Sequence, residues 1–153
     1  ADYAAPPWSA AFISAMARRA AVPEDVLPST ALHVRYVDAM LMRWQQDPGS
    51  APFRPHAPAD YAPKPGDLVC ADRNMQSPLS HWTERLAELG RVRPMHCDIV
   101  VRARRGRVEA IGGNVRALVA RRVFPTDAAG RLLPAPPDWP VFVLVLEAAS
   151  PPS

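Results

Sequence analysis

The chain lacks several features that would assign it to a familiar class of protein. Its longest apolar run, 141–146, is far shorter than the roughly 18 residues of a membrane span, so we expect a buried strand and no membrane span. It has no glycine-rich phosphate loop, HExxH or GxSxG motif, which argues against nucleotide hydrolysis, zinc-protease chemistry and the α/β-hydrolase mechanism. His33, His56 and His81 show no metal-ligand spacing. We therefore expect neither a metal nor an organic cofactor.

Cysteine is scarce, and the two present lack the CxxC spacing of a zinc or redox site. Cys70 and Cys97 both fall in predicted strands. They form either one cross-strand disulfide in an oxidising compartment or two buried thiols, and the sequence leaves both alternatives open. The chain starts at Ala1, as removal of a signal peptide would leave it, so we expect a periplasmic or secreted location.

Acidic residues are outnumbered, 15 to 18, and arginine dominates the basic set. Arg102, Arg104, Arg105 and Arg107 surround one turn, and three more arginines follow within 116–122. Such a cluster suits an anionic partner, such as an envelope polymer or nucleic acid, although a solvated turn and strand face is the more common explanation. Nucleic acid is the unlikely partner, because the cluster lacks interleaved aromatic side chains for base stacking.

The order of predicted elements describes a single domain over 1–153. A lead-in (1–7) precedes a helical part (8–46), a proline-rich loop (47–65) and a sheet with one inserted helix (66–147). We expect helices over 8–20, from a Ser29 or Thr30 cap to 46, and from a Ser80 cap to 90. Strands are expected over 66–71, 96–103, 107–112, 115–123 and 140–147. Helices followed by neighbouring strands indicate an α+β fold, an antiparallel sheet packed against N-terminal helices.

Ser9 lies at the start of the first predicted helix and is a candidate nucleophile. Unpaired N–H groups and the helix dipole at such a position would stabilise an attacking oxygen, or the oxyanion formed after attack. Serine is also a favoured N-cap, and taken alone Ser9 is more often explained as a cap.

His96 opens an apolar strand and is a candidate general base, although a lone histidine is more often structural. Asp98 lies on the same strand face. Asp98 is followed by three apolar residues, 99–101. An ionised carboxylate is costly to bury unpaired in such surroundings, so we expect Asp98 to meet a cation or a hydrogen-bond donor. A hairpin centred near Gly106 would place Asn114 beside His96, where its amide could orient the imidazole; a Gly-Gly-Asn turn is the alternative.

Four segments occur in an order that carries a resemblance: Pro7-Trp-Ser-Ala-Ala-Phe-Ile-Ser14, Pro65-Gly-Asp-Leu-Val69, His96-Cys-Asp-Ile-Val100 and Ile111-Gly-Gly-Asn114. Over roughly residues 7–123 the chain resembles the bacterial domain-of-unknown-function 2272 family and, with it, the papain-like NlpC and CHAP cell-wall hydrolases. In those relatives a helix-start cysteine supplies the nucleophile, a histidine-led strand the base, and a Glu-Gly-Asn-like segment the orienting group. The resemblance implies a papain-like fold.

The resemblance puts Ser9 in the nucleophile position, His96 in the base position and Asn114 in the orienting position. Two departures stand out: serine replaces cysteine, and Gly112 replaces the acid of the Glu-Gly-Asn segment. Asp98, where relatives have glycine, could compensate for the second. A cysteine thiol can ionise to a thiolate before it attacks, whereas a serine hydroxyl stays protonated. The proton of Ser9 must therefore be removed during the attack.

The implied function is a cell-envelope hydrolase that cleaves an amide bond in peptidoglycan stem peptides or similar peptides. Trp8, which could wall the cleft or simply fill the core, and Asp67 are the candidate substrate-binding residues. The alternative is a catalytically silent papain-like module that binds cell-wall peptides or a protein partner. The sequence leaves activity and oligomeric state open.

Overall fold

The computed structural model describes residues 9–115, 118–136 and 141–149, with the backbone alone at 114 and 115. Two α-helices precede all six strands, and two short 3₁₀ helices lie in the connections. The helices are α1 (Ser9–Arg19) and α2 (His33–Gln46), with 3₁₀ helices over Pro58–Asp60 and Trp82–Glu88. The strands are β1 (Phe53–His56), β2 (Leu68–Asp72), β3 (Met95–Arg104), β4 (Arg107–Val115), β5 (Leu118–Pro125) and β6 (Val141–Ala148).

The six strands form one antiparallel sheet in the order β1-β6-β2-β3-β4-β5. The turn between β3 and β4 contains Gly106, whose φ of +81° suits a residue without a side chain. Ile99 pairs with Ile111, which is the register expected for a hairpin centred there. A mixed α/β chain with an antiparallel sheet, as the sequence predicts, is confirmed.

Both faces of the central strands are buried, because strand side chains alternate and each face has its own cover. The apolar sides of α1 and α2 pack on one face, where Ile13, Val37 and Leu144 are at most 1% exposed. A smaller cluster on valines of β2, β3, β4 and β6 covers the other face. Full burial of one such side chain contributes about 1.5–3 kcal/mol, so these clusters hold the helices against the sheet.

A disulfide joins Cys70 of β2 to Cys97 of β3, and neither cysteine is exposed to solvent. The two residues are directly opposite in the antiparallel register, with Cα atoms 4.1 Å apart. Of the two alternatives that the sequence left open, the structure therefore has the disulfide. It ties β2 to β3 at the residue next to His96.

A buried ion-pair network fixes the long connection between β2 and β3. Arg85, 1% exposed, makes two 2.9 Å hydrogen bonds to the carboxylate of Asp38 on α2 and a third bond to Glu88. Glu88 also pairs with Arg93, which reaches Asp72 at the end of β2. Charged side chains are rarely buried unless paired, and here the pairing holds the segment that leads into β3.

Three local expectations are corrected by the structure. β1 lies inside the segment assigned to the proline-rich loop, where proline masked the strand pattern. Thr30 accepts a hydrogen bond from the N–H of Leu32 in a local turn, so α2 starts later than expected and has no side-chain cap. The inserted helix is a 3₁₀ helix capped by His81 rather than Ser80, whose hydroxyl bonds Glu84 instead.

Candidate functional site

Ser9 and His96 belong to one buried cluster, but the residue that links them is His33. Ser9 is the first residue of α1, His33 the first of α2 and His96 the second of β3; all three are 5–7% exposed. The Oγ of Ser9 lies 2.6 Å from Nε2 of His33. The ring centroids of His33 and His96 are 4.9 Å apart.

The expected direct hydrogen bond between Ser9 and His96 is therefore replaced by one between Ser9 and His33. The sequence analysis ranked His33 low because it looked only for metal-ligand spacing. The sequence did contain a signal for His33, because His33 and Tyr36 both fall on the apolar face of α2. A buried imidazole needs polar partners, so this pattern indicates a buried hydrogen-bonded group.

The hydrogen bonds of His33 define its tautomer. Its Nδ1 is 3.3 Å from the backbone nitrogen of Cys97, and the hydroxyl of Tyr36 also lies against it. A backbone N–H can only donate, so Nδ1 is the acceptor and a neutral ring carries its hydrogen on Nε2. The Nε2–H group then donates to Ser9 Oγ. His33 cannot accept the proton of Ser9 in this arrangement.

Electrostatics keep the His33 ring neutral. Burial, and then the electrostatic interaction with nearby His96, lower the pKa of His33 from 6.5 to about 3. Burial also raises the pKa of Tyr36 well above its ordinary value, with the charge of Asp98 adding to the effect, so that hydroxyl stays protonated. Neutral His33 is thus a fixed hydrogen-bond donor to Ser9.

His96 has a separate partner, the carboxylate of Asp98. Nε2 of His96 lies 2.6 Å from Oδ1 of Asp98, and Oδ2 accepts bonds of 2.6 and 3.0 Å from Arg122 of β5. Burial disfavours the ionised form of Asp98, but the His96 hydrogen bond and the Arg122 charge outweigh it and lower the pKa of Asp98. The expectation that Asp98 meets a cation or a hydrogen-bond donor is confirmed, since it meets both. With Nε2–H engaged, Nδ1 is the ring nitrogen left with a lone pair.

Gly112 makes room for the His96–Asp98 pair. A Cβ atom at residue 112 would lie 1.9 Å from Oδ1 of Asp98, closer than real Cβ contacts come, and 3.0 Å from Nε2 of His96. The absence of a side chain at residue 112 therefore leaves the space that the Asp98 carboxylate occupies.

The other expected site residues are less informative. Asp67 is 2% exposed, and its carboxylate accepts hydrogen bonds from the Tyr61 hydroxyl, Lys64 N–H and Ala148 N–H. It lies at the end of β2 away from His96, so its substrate-binding role stays a prediction. Trp8 and the side chain of Asn114 lie outside the described residues, so their roles also stay predictions.

A groove of about 600 Å³ opens at the same end of the sheet as His96. Its lining includes Phe142 of β6, which is paired with Ala71 of β2, and Ala71 is paired with His96. Two strand spacings, about 10 Å, therefore separate the backbone at Phe142 from that at His96. Phe142 packs against Phe124, over which the Arg122 guanidinium lies.

Within the ranges that the structure describes, no group of three or more His, Cys, Asp or Glu side chains could hold a metal ion. No helix among the described residues is long and apolar enough to cross a membrane. The fold and the site together define a mixed α/β protein. Its buried cluster of Ser9, His33, His96 and Asp98 lies between the starts of the helices and the sheet.

The family model DUF2272, described as "Uncharacterized protein conserved in bacteria", matches residues 1–139, and the chain belongs to this family. Neither a curated protein nor a solved structure matches it.

Proposed function

We propose that this chain is a papain-like hydrolase domain that cleaves an amide bond in peptidoglycan stem peptides or similar envelope peptides. The observation that carries the proposal is the buried cluster in which a helix-start hydroxyl, Ser9, shares its surroundings with an imidazole, His96, held by a carboxylate, Asp98. These are the parts of an acyl-transfer site: nucleophile, base and orienting group.

In the proposed reaction Ser9 Oγ attacks the amide carbonyl carbon while its proton passes to Nδ1 of His96. The imidazolium is stabilised by Asp98, and the N–H group of Ser9 at the helix start contributes to binding the oxyanion. Collapse breaks the C–N bond as His96 returns the proton to the leaving amine. Water, deprotonated by His96, then hydrolyses the acyl-serine and regenerates the hydroxyl.

His33 acts in this scheme by directing the serine hydroxyl. Because Ser9 Oγ accepts a hydrogen bond from Nε2–H of His33, the hydroxyl hydrogen is free to point elsewhere. Attack requires Oγ to come within about 2.6–3.2 Å of His96 Nδ1. Rotation of Ser9 about its Cα–Cβ bond is the motion that would bring it there.

The buried disulfide supports the proposed envelope location. Disulfides persist in oxidising compartments such as the periplasm or the cell exterior, and the Cys70–Cys97 disulfide anchors the strand that carries His96. The groove beside Phe142 is the proposed binding site for the part of the substrate chain on one side of the scissile bond.

The test is turnover of muropeptides together with covalent labelling by a fluorophosphonate, which reacts with activated serines. We expect wild type to turn over substrate and to be labelled, and Ser9→Ala and His96→Ala each to abolish both. Ser77→Ala, which removes an exposed serine hydroxyl far from the cluster in sequence, is the matched control and should behave as wild type. Labelling that survives Ser9→Ala would refute the assignment of the nucleophile.

A second function is favoured by one observation: the Ser9 hydroxyl is bonded to a donor, His33, rather than to the base. The same cleft could then bind envelope peptides or a protein partner without turnover. Absence of turnover in wild type, with peptide binding that survives Ser9→Ala, would establish this function instead. Activity that appears only in Ser9→Cys would show that the cleft is competent and that the nucleophile alone has been lost.

A further inference from the structure

The β3–β4 hairpin and β5 present an exposed face rich in arginine. Arg102 pairs with Glu109, which pairs with Val123, and Arg104 pairs with Arg107 across the hairpin. Residues directly opposite each other in a sheet point to the same face. Because side chains alternate along a strand, residues 121 and 119 of β5 share the face of Val123. We call this set the basic face: Arg102, Arg104, Arg107, Glu109, Val119, Arg121 and Val123.

Most of the charge on the basic face is not neutralised. Glu109 is its one carboxylate, and it lies 3.6 Å from Arg102 and 3.3 Å from Arg121. Neither Arg104 nor Arg107 has an acidic partner among the residues that the structure describes, and Arg105 in the adjoining turn likewise has none. The face therefore attracts anions over a surface wider than one phosphate group.

Aliphatic side chains are exposed between these arginines. Val119 and Val123 are 52% and 54% exposed. A polyanionic chain would leave them in water, whereas the interfacial zone of a bilayer takes guanidinium groups at the headgroups and aliphatic groups just below. Nucleic acid is disfavoured further because no aromatic side chain of the basic face is available for stacking.

We propose that the basic face docks this protein onto a bilayer containing anionic phospholipids, with Arg104 and Arg107 at the headgroups and the neighbouring valines just below them. The proposal is independent of the hydrolase activity. Arg121 and Arg122 are consecutive in β5 and point to opposite faces, so Arg122 stays on Asp98 while Arg121 faces the lipid. Docking therefore leaves the His96–Asp98 pair untouched.

The experiment is cosedimentation of the full chain with vesicles of phosphatidylcholine, with or without phosphatidylglycerol. We expect binding only with the anionic lipid, weakening as salt rises. Each arginine near such a surface contributes about 1 kcal/mol, so Arg104→Gln with Arg107→Gln should weaken partitioning roughly 10- to 30-fold. The control, Arg19→Gln with Arg54→Gln, makes the same charge change at exposed positions elsewhere and should alter binding less than about threefold.

Each of the following outcomes would overturn the proposal. Equal losses in both double variants would mean attraction by net charge rather than by this face. Unchanged partitioning of Val119→Ser with Val123→Ser would remove the argument for lipid. Failure to bind anionic vesicles, with salt-dependent binding of DNA that requires Arg104 and Arg107, would assign the face to nucleic acid. Circular dichroism of each variant establishes that it is folded.

Discussion

Lowering the pH should destabilise the protein through His33. In the unfolded chain this histidine titrates near pH 6.5, whereas burial lowers its pKa to about 3 in the folded state. Between these values the unfolded state binds one more proton, so the free energy of unfolding falls as pH falls, by about 1.4 kcal/mol per pH unit. The stabilisation is complete above about pH 6.5, and over the full window on the order of 4–5 kcal/mol is lost.

Urea unfolding of wild type and His33→Gln at a series of pH values measures this effect. Glutamine keeps a donor for Ser9 and does not titrate, so other acid-sensitive groups, including Asp98, affect both proteins alike. Relative to the variant, wild type should lose roughly 2–3 kcal/mol between about pH 7 and pH 4.5. ¹⁵N NMR should also show His33 as the Nε2–H tautomer over this range. Parallel stability curves, or a His33 ring that titrates near pH 6, would refute the reasoning.

Three further changes test the fold around the site. Gly112→Ala should cost about 2–4 kcal/mol in denaturant unfolding, because its Cβ would overlap the carboxylate that holds the imidazole, whereas Gly49→Ala, with its nearest neighbour at 3.6 Å, should cost under about 0.5 kcal/mol. Arg85→Met leaves a buried carboxylate unpaired and should lower stability by about 3–5 kcal/mol, with little loss if that carboxylate is also replaced by an apolar group. Replacing Cys70 and Cys97 by alanine opens a loop of sequence separation 27 and should cost about 3.5 kcal/mol, with wild type in reductant as the comparison.

The sheet was predictable where local chemistry and hydrophobic pattern agree. The turn at Gly106 sets the approximate register of β3 with β4, and an irregularity between Val100 and Arg102 then shifts the pairs by one residue. β1 was not predictable in the same way. Its four residues include a proline, and its pairing with β6 depends on a distant segment rather than on local sequence.

One pair of residues in the site was predictable, but the site as a whole was not. Asp98 follows His96 by two residues on one strand, so their contact is local and alternation alone predicts it. The contact of Ser9 with His33 joins the starts of two helices, 24 residues apart, and is set by how α1 and α2 pack on the sheet. No periodicity in either helix encodes that placement, which is why the sequence assigned Ser9 to the other imidazole.

The Asp98 carboxylate and any side chain at residue 112 would compete for one space beside His96. Asp98→Gly should therefore free His96 from its partner, and Gly112→Glu alone should collide with Asp98 and destabilise the fold. The double variant removes the collision and returns a carboxylate to the space around His96 Nε2, where Arg122 can pair with it as well.

We expect the double variant to recover at least half of the stability that Gly112→Glu loses. This readout is independent of catalysis. A double variant no more stable than the sum of the two single changes predicts would mean that the two positions do not share one space, and that the glycine serves only to let the strands approach.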